Sequence, residues 1–139
     1  MQLSVRMSAV VLLCTTLSCQ TVGISRERGG YAEVSPTVAN QMILDNRQVV
    51  VLDIRPLEQF SGPLGHIAGS ISTPMDSIEK RLPELLPYQS STILVYGDEA
   101  EESKLAASLL IASGFRNIVH IKGGIREWIE KGYRTVLSP

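Results

Sequence analysis

The chain has 139 residues, 44% of them hydrophobic and 19% charged, with a formal net charge of −1. That is enough sequence for one globular domain, too short for two and too apolar for disorder. Lys and Arg are scattered and aromatics make up 5%, so neither a basic stripe nor a stacking platform for nucleic acid is present. Both cysteines, Cys14 and Cys19, stand near the start. The body of the chain therefore holds no internal disulfide, no thiolate metal site and no cysteine nucleophile.

Residues 1–18 read as a secretory signal, with Arg6 as its positive region and an apolar run over 7–17. That run is shorter than the ~20 residues needed to span a bilayer. A buried N-terminal helix or strand is the structural alternative. The run ends Thr15-Thr16-Leu17-Ser18-Cys19, which resembles a bacterial lipobox with Ser18 before a lipidated Cys19. More than one acyl chain at Cys19 would anchor the protein firmly, and plain cleavage nearby is the other outcome. Residues 20–30 are polar, lack periodicity and include Gly29-Gly30, the signature of a flexible tether. The expected organisation is a signal peptide over 1–18, a tether over 19–30 and one domain over 31–139.

Within the domain, 31–34 is a short strand candidate. Ser35-Pro36 then supplies an N-cap and a proline at the first helical position. The helix carries Val38, Ala39, Met42 and Ile43 on one face and stops near Asn46. Val49 to Asp53 is a continuous apolar run of the kind buried on both faces of a parallel sheet. A loop with Pro56, Gly62, Pro63 and Gly65 follows, then a short strand candidate over 70–72. Ile78, Leu82, Leu85 and Leu86 share a helical face that Pro83 is expected to break. Residues 92–96 form a second strong strand. The clearest helix covers 101–113 and stops at Gly114, a C-cap glycine. Residues 118–121 make another strand, and Gly123-Gly124 turns into a last helix over 125–131, ended by Gly132. Strand and helix alternate throughout, which argues an α/β domain with a mainly parallel sheet.

Two separated motifs carry a family resemblance. The first is Leu52-Asp53-Ile54-Arg55 with Glu58, Phe60, Gly65-His66-Ile67 and Gly69-Ser70. The second is Gly114-Phe115-Arg116-Asn117-Ile118 with Gly123, Gly124 and Trp128. Together they resemble the rhodanese-like family over about 31–136. The resemblance implies a five-stranded, mainly parallel sheet flanked by helices, with an active-site loop after the fourth strand. That loop falls on Gly97, Asp98, Glu99, Ala100, Glu101, Glu102 and Ser103. In active members it begins with a cysteine that carries a persulfide, and the resemblance puts Gly97 in that place. Family members usually have glycine where Ala100 stands and often arginine where Glu102 stands, while Ser103 is kept.

A sulfurtransferase attacks an anionic sulfur donor with a thiolate, and Gly97 has no side chain. Backbone N–H groups and a helix N-terminus would cradle an anion there, but four carboxylates now sit in or around the cradle and repel thiosulfate or phosphate. Asp98 and Glu101 are spaced as a capping box for the following helix. The sharper alternative is a cation site such as Ca²⁺, but the spacing matches no metal loop, so neither metal nor cofactor is assigned. His66 has no nucleophile to serve as a base and is read as a structural loop residue. Asp53 and Arg55 are read as a structural ion pair, Trp128 as core packing and Lys122 as a surface charge. Ser103 lacks a His and Asp arranged to activate it. The expected function is an exported rhodanese-like domain without its catalytic cysteine. It would be a non-catalytic binding or scaffold module for an unidentified protein partner at the bacterial cell envelope, periplasmic or membrane-anchored as a lipoprotein. The alternative is a sulfurtransferase or sulfur carrier acting by an unusual route or with a partner's thiol. A cysteine-dependent phosphatase on the related fold fails on the same missing thiol.

Overall fold

The computed structural model describes residues 24–26, 30–46 and 48–137. The signal-peptide and Cys19 readings lie outside those residues, as does most of the tether. Strands β1 (Ser25–Arg26), β2 (Ala32–Val34), β3 (Val50–Asp53), β4 (Ile71–Ser72), β5 (Thr92–Tyr96) and β6 (Asn117–Ile121) form one sheet in the order β1-β2-β6-β5-β3-β4. The five strands from β2 to β6 run parallel, as the α/β alternation demands. The sheet gains a sixth, two-residue strand, because Ser25–Arg26 pairs antiparallel with β2. Backbone pairing alone makes them a strand, without any side-chain periodicity to announce it.

The apolar runs are buried on both faces. Along β5, Ile93 and Val95 enter one core with Leu52, Ile54, Leu110 and Phe115, while Leu94 and Tyr96 enter the other with Val51, Ile121, Ile125 and Trp128. The first core lies under α3 (Ile78–Leu85) and α4 (Ala100–Ala112), the second under α1 (Pro36–Asp45) and α5 (Gly124–Glu130).

Local signals explain most boundaries. The Ser35 hydroxyl accepts from the Val38 N–H at 3.3 Å, with Pro36 opening α1. At the far end of α4 the Gly114 N–H donates to Ile111 and the Phe115 N–H to Leu110, with Gly114 at φ +92°. That is the two-bond arrangement of a Schellman stop. Two sequence expectations are corrected. Pro83 does not break α3 but sits inside it, on the exposed side. It removes only one N–H, and the chain then tightens into a 3-10 turn over Leu86–Tyr88. The loop after β3 also contains a single helical turn, α2 (Leu57–Phe60).

Candidate functional site

In a sheet of parallel strands, functional groups gather beyond the C-terminal ends. There the β3 end supplies Asp53, Ile54 and Arg55, β5 leads into Gly97, and β6 into Lys122 and Gly123. The loop from Gly97 is held from below by α5. The Ile125 N–H donates to the Gly97 carbonyl at 3.1 Å. Gly124, at φ +55°, lies so close that a Cβ there would collide with that same carbonyl. The Gly123-Gly124 pair is thus what lets α5 start against the loop. At Gly97 itself an added Cβ would stand 3.1 Å from Ile54 Cδ1, the mobile end of a side chain, and 3.6 Å from the Glu99 carbonyl. A small side chain fits there only if Ile54 shifts by a few tenths of an ångström.

The four loop carboxylates do not crowd into the cradle. Asp98 is half-buried and turned toward α5, with Arg126 Nε 3.4 Å from its Oδ1 and Nη2 3.4 Å from its Oδ2. Glu101 lies 3.6 Å from the Lys104 ammonium, and Glu99 and Glu102 are exposed. Nor does Asp98 with Glu101 form a capping box. The N-cap of α4 is Glu99, and no side chain bonds the first-turn N–H groups. Asp98 has gone to Arg126 instead, so Glu101 and Glu102 favour α4 only through the helix dipole. Ser103 is fully buried, and its hydroxyl donates to the Ala100 carbonyl at 3.0 Å and the Glu99 carbonyl at 3.3 Å. It ties the first turn of α4 together rather than facing solvent. Small cavities flank the loop on either side. One, of about 260 Å³, is lined by Arg55, Glu58, Leu64, Asp98 and Arg126. The other, of about 170 Å³, is lined by Ile54, Pro74, Asp76 and Glu102.

Beneath the loop lies a buried polar network. Arg55 forks onto Asp53, with Nε at 2.9 Å and Nη2 at 2.5 Å, and Nη2 also donates to the Gly65 carbonyl at 2.8 Å. The Tyr96 hydroxyl donates to Asp53 at 2.6 Å and accepts from the Ile67 N–H at 3.1 Å, with Ser70 Oγ 3.3 Å away. Burial, reinforced by the Asp53 carboxylate, pushes the Tyr96 phenol far above its ordinary range. Burial works against the Arg55 charge, yet its bonds to Asp53 hold its pKa above the usual arginine value. Through the Gly65 carbonyl, the Ile67 N–H and Ser70, the network braces the 65–70 segment. His66 stacks on Phe60 with centroids 3.7 Å apart, and its Nδ1 lies 3.1 Å from the Phe60 carbonyl oxygen. Its backbone bonds Val136 in both directions. Trp128 is buried, with its indole N–H donating to the Arg134 carbonyl at 3.1 Å, and Lys122 and Glu58 are exposed.

The structure thus gathers Asp53, Arg55, Gly97, Asp98, Gly123 and Gly124 at one end of the sheet, leaving His66 and Trp128 as packing around it. Sequence reasoning missed Tyr96 and Arg126. A lone hydroxyl at the end of an apolar strand was the available signal for Tyr96. Arg126 had none, since only the fold brings it to Asp98. Among the described residues no group of three or more His, Cys, Asp or Glu side chains is placed to hold a metal ion.

Known proteins agree with this architecture. The rhodanese-related protein of Thermoplasma volcanium superposes with a TM-score of 0.67 at 28% identity, over 76% of this chain and 98% of its own. The Bacillus subtilis protein named "Putative sulfur carrier protein YrkF" is 25% identical over 107 residues, 77% of this chain and 56% of its own length. The tRNA uridine(34) hydroxylase of Photorhabdus laumondii is 30% identical over 96 residues, 66% of this chain and 26% of its own length. This chain therefore spans only about half, or about a quarter, of those two relatives. The model of the rhodanese-like domain matches residues 35–131. With the parallel sheet, the loop beyond β5 and the Gly123-Gly124 support all in place, the chain belongs to the rhodanese-like domain family.

Proposed function

We propose that this protein is a rhodanese-like domain that no longer transfers sulfur and serves as a binding or scaffold module at the cell envelope. The observation that carries the reading is Gly97. It opens the loop beyond β5, beside Ile54 and over the Gly124 support, where the family resemblance expects a cysteine. No thiol follows Cys19 in the sequence, and a persulfide needs one. Nothing else at the loop replaces it, because Ser103 is buried with its hydroxyl committed to backbone carbonyls and His66 is stacked on Phe60. Arg6, the apolar run over 7–17 and the Ser18-Cys19 pair support export and a lipid anchor.

The name of the Bacillus relative favours a second reading, in which sulfur passes through this domain on a thiol supplied by a partner. Intact mass measured after exposure to polysulfide separates the two. The non-catalytic module gains no reducible sulfur on any residue after Cys19, with or without envelope extract. A sulfur adduct, or turnover that appears when extract is added, supports the carrier. Fractionation tests the location: the protein should sediment with membranes, and Cys19→Ser should release it. Full-length protein left soluble in the cytoplasm would contradict the envelope reading.

A further inference from the structure

We infer that the loop end of the sheet docks an extended segment of a partner protein that carries a lysine or arginine among apolar residues. The inference rests on the binding-module reading above and adds the chemistry of the partner to it. Leu57 is 59% exposed and Leu64 39% exposed, and Pro56 and Pro63 beside them are exposed as well. The two cavities that flank the Gly97 loop meet this run of chain. The larger reaches it at Arg55, Glu58, Pro63 and Leu64, and the smaller at Ile54 and Pro56. Exposed apolar side chains gathered around cavities mark a docking surface, as singly scattered ones do not.

Charge identifies the occupant. The smaller cavity has apolar walls of Ile54, Pro56, Pro74 and Met75 and carries Asp76 and Glu102. Both carboxylates are exposed, and among the described residues neither has an ion pair. No Lys or Arg lines this cavity. Apolar walls under two unanswered carboxylates complement a Lys or Arg side chain, whose methylene stem packs while its charged head stays at the water boundary. The cations of this end are engaged or lie elsewhere. Arg126 is on the larger cavity, facing Asp98, and Lys104 and Arg81 are paired with Glu101 and Glu84. Lys80 and Lys122 line neither cavity, and Lys122 leaves β6, two strands away from β3.

The larger cavity offers such a segment a main-chain contact. Arg55 is only 1% exposed, yet it forms part of the cavity wall. Its Nε and Nη2 are spent on Asp53 and the Gly65 carbonyl, and Nη1 takes no part in those bonds. A buried donor calls for an acceptor, and a main-chain carbonyl of a segment laid over Pro63 and Leu64 supplies one. One extended segment thus places an apolar residue on Leu64, a carbonyl at Arg55 and a basic side chain between Asp76 and Glu102.

The test presents phage-displayed random octapeptides to the immobilised processed protein. Peptides with Lys or Arg flanked by apolar residues should be enriched. Synthetic copies, measured by fluorescence anisotropy, should bind about tenfold more weakly to Asp76→Asn with Glu102→Gln, and several-fold more weakly to Leu64→Gln. Asp45→Asn with Glu130→Gln removes the same charge from exposed positions outside both cavities and should leave binding within about twofold. Replacing the basic residue of the peptide by glutamine should cost about as much as the Asp76 and Glu102 changes, and the two together no more than either. Enrichment of acidic peptides, enrichment of no class, or binding that survives the Asp76 and Glu102 changes would overturn the inference. Those results leave the non-catalytic reading standing, whereas a sulfur adduct on the domain would remove that reading whether or not peptides bind.

Discussion

Tyr96 shows how one hydroxyl can fix a loop that the sequence leaves open. It holds Asp53, the Ile67 N–H and Ser70 together. Tyr96→Phe leaves the buried Ile67 N–H unpaired and removes one bond to Asp53, whose oxygens keep Arg55; the unpaired donor costs about 1–3 kcal/mol and should lower the urea midpoint accordingly. Because the folded phenol pKa is raised, the neutral form stabilises the fold below the unfolded value of about 10, and that contribution is lost as pH rises above it. Stability should fall above pH 10 in the natural protein, and Tyr96→Phe should lose that part of the slope. His120 works on the acid side. It is fully buried, with Nδ1 3.1 Å from Glu33 and Nε2 unpartnered, and burial lowers its pKa against the pull of Glu33. A lowered imidazole pKa gives stability that is present above about 6.5 and lost as pH falls. Urea midpoints at neutral and mildly acid pH should differ, and less so in His120→Gln. Neither residue stood out in the sequence, where each reads as one polar side chain in an apolar strand.

At the scale of elements, boundaries were legible wherever a single residue sets the backbone. Ser35-Pro36 starts α1 and Gly114 stops α4 as their chemistry requires. Elements made by tertiary pairing were not legible. β1 exists only because β2 offers it an edge, and α2 is one turn without a buried residue. The start of α4 was misread because Asp98, a plausible cap by spacing, has a better partner in Arg126 on another helix. The joint between the loop and α5 makes a sharp prediction. Gly124→Ala forces a Cβ residue into left-handed backbone, about 1–2 kcal/mol by itself, and drives that Cβ into the Gly97 carbonyl. Its loss in thermal stability should exceed that of Gly132→Ala, whose added Cβ meets nothing within 4 Å. The loop can also be rebuilt. Gly97→Cys should fold, since only the Ile54 side chain has to give way, yet transfer almost no sulfur, because the exposed carboxylates of Glu99, Glu101 and Glu102 along the same loop repel an approaching anionic donor. Adding Ala100→Gly and Glu102→Arg frees the backbone and reverses one charge, and the triple variant should show measurable transfer. The helix should lose only about 0.3–1 kcal/mol from the missing first-turn carboxylate.

For the whole molecule, alternation of strand and helix revealed the sheet, and two motifs revealed the end of it that matters. What they left open is how that end is arranged, because Asp98–Arg126, Tyr96–Asp53 and Glu33–His120 each join residues far apart in sequence. The resulting architecture keeps the parallel sheet, the loop and its glycine support, while the loop carries no nucleophile. The most direct test is the rate of sulfur transfer from thiosulfate to cyanide by the processed protein, measured beside a cysteine-bearing rhodanese under the same conditions. A rate equal to buffer, unchanged by protein concentration or added dithiol, is the predicted result. A rate that rises in proportion to the protein and disappears on its removal by antibody would contradict a domain without sulfur-transfer chemistry.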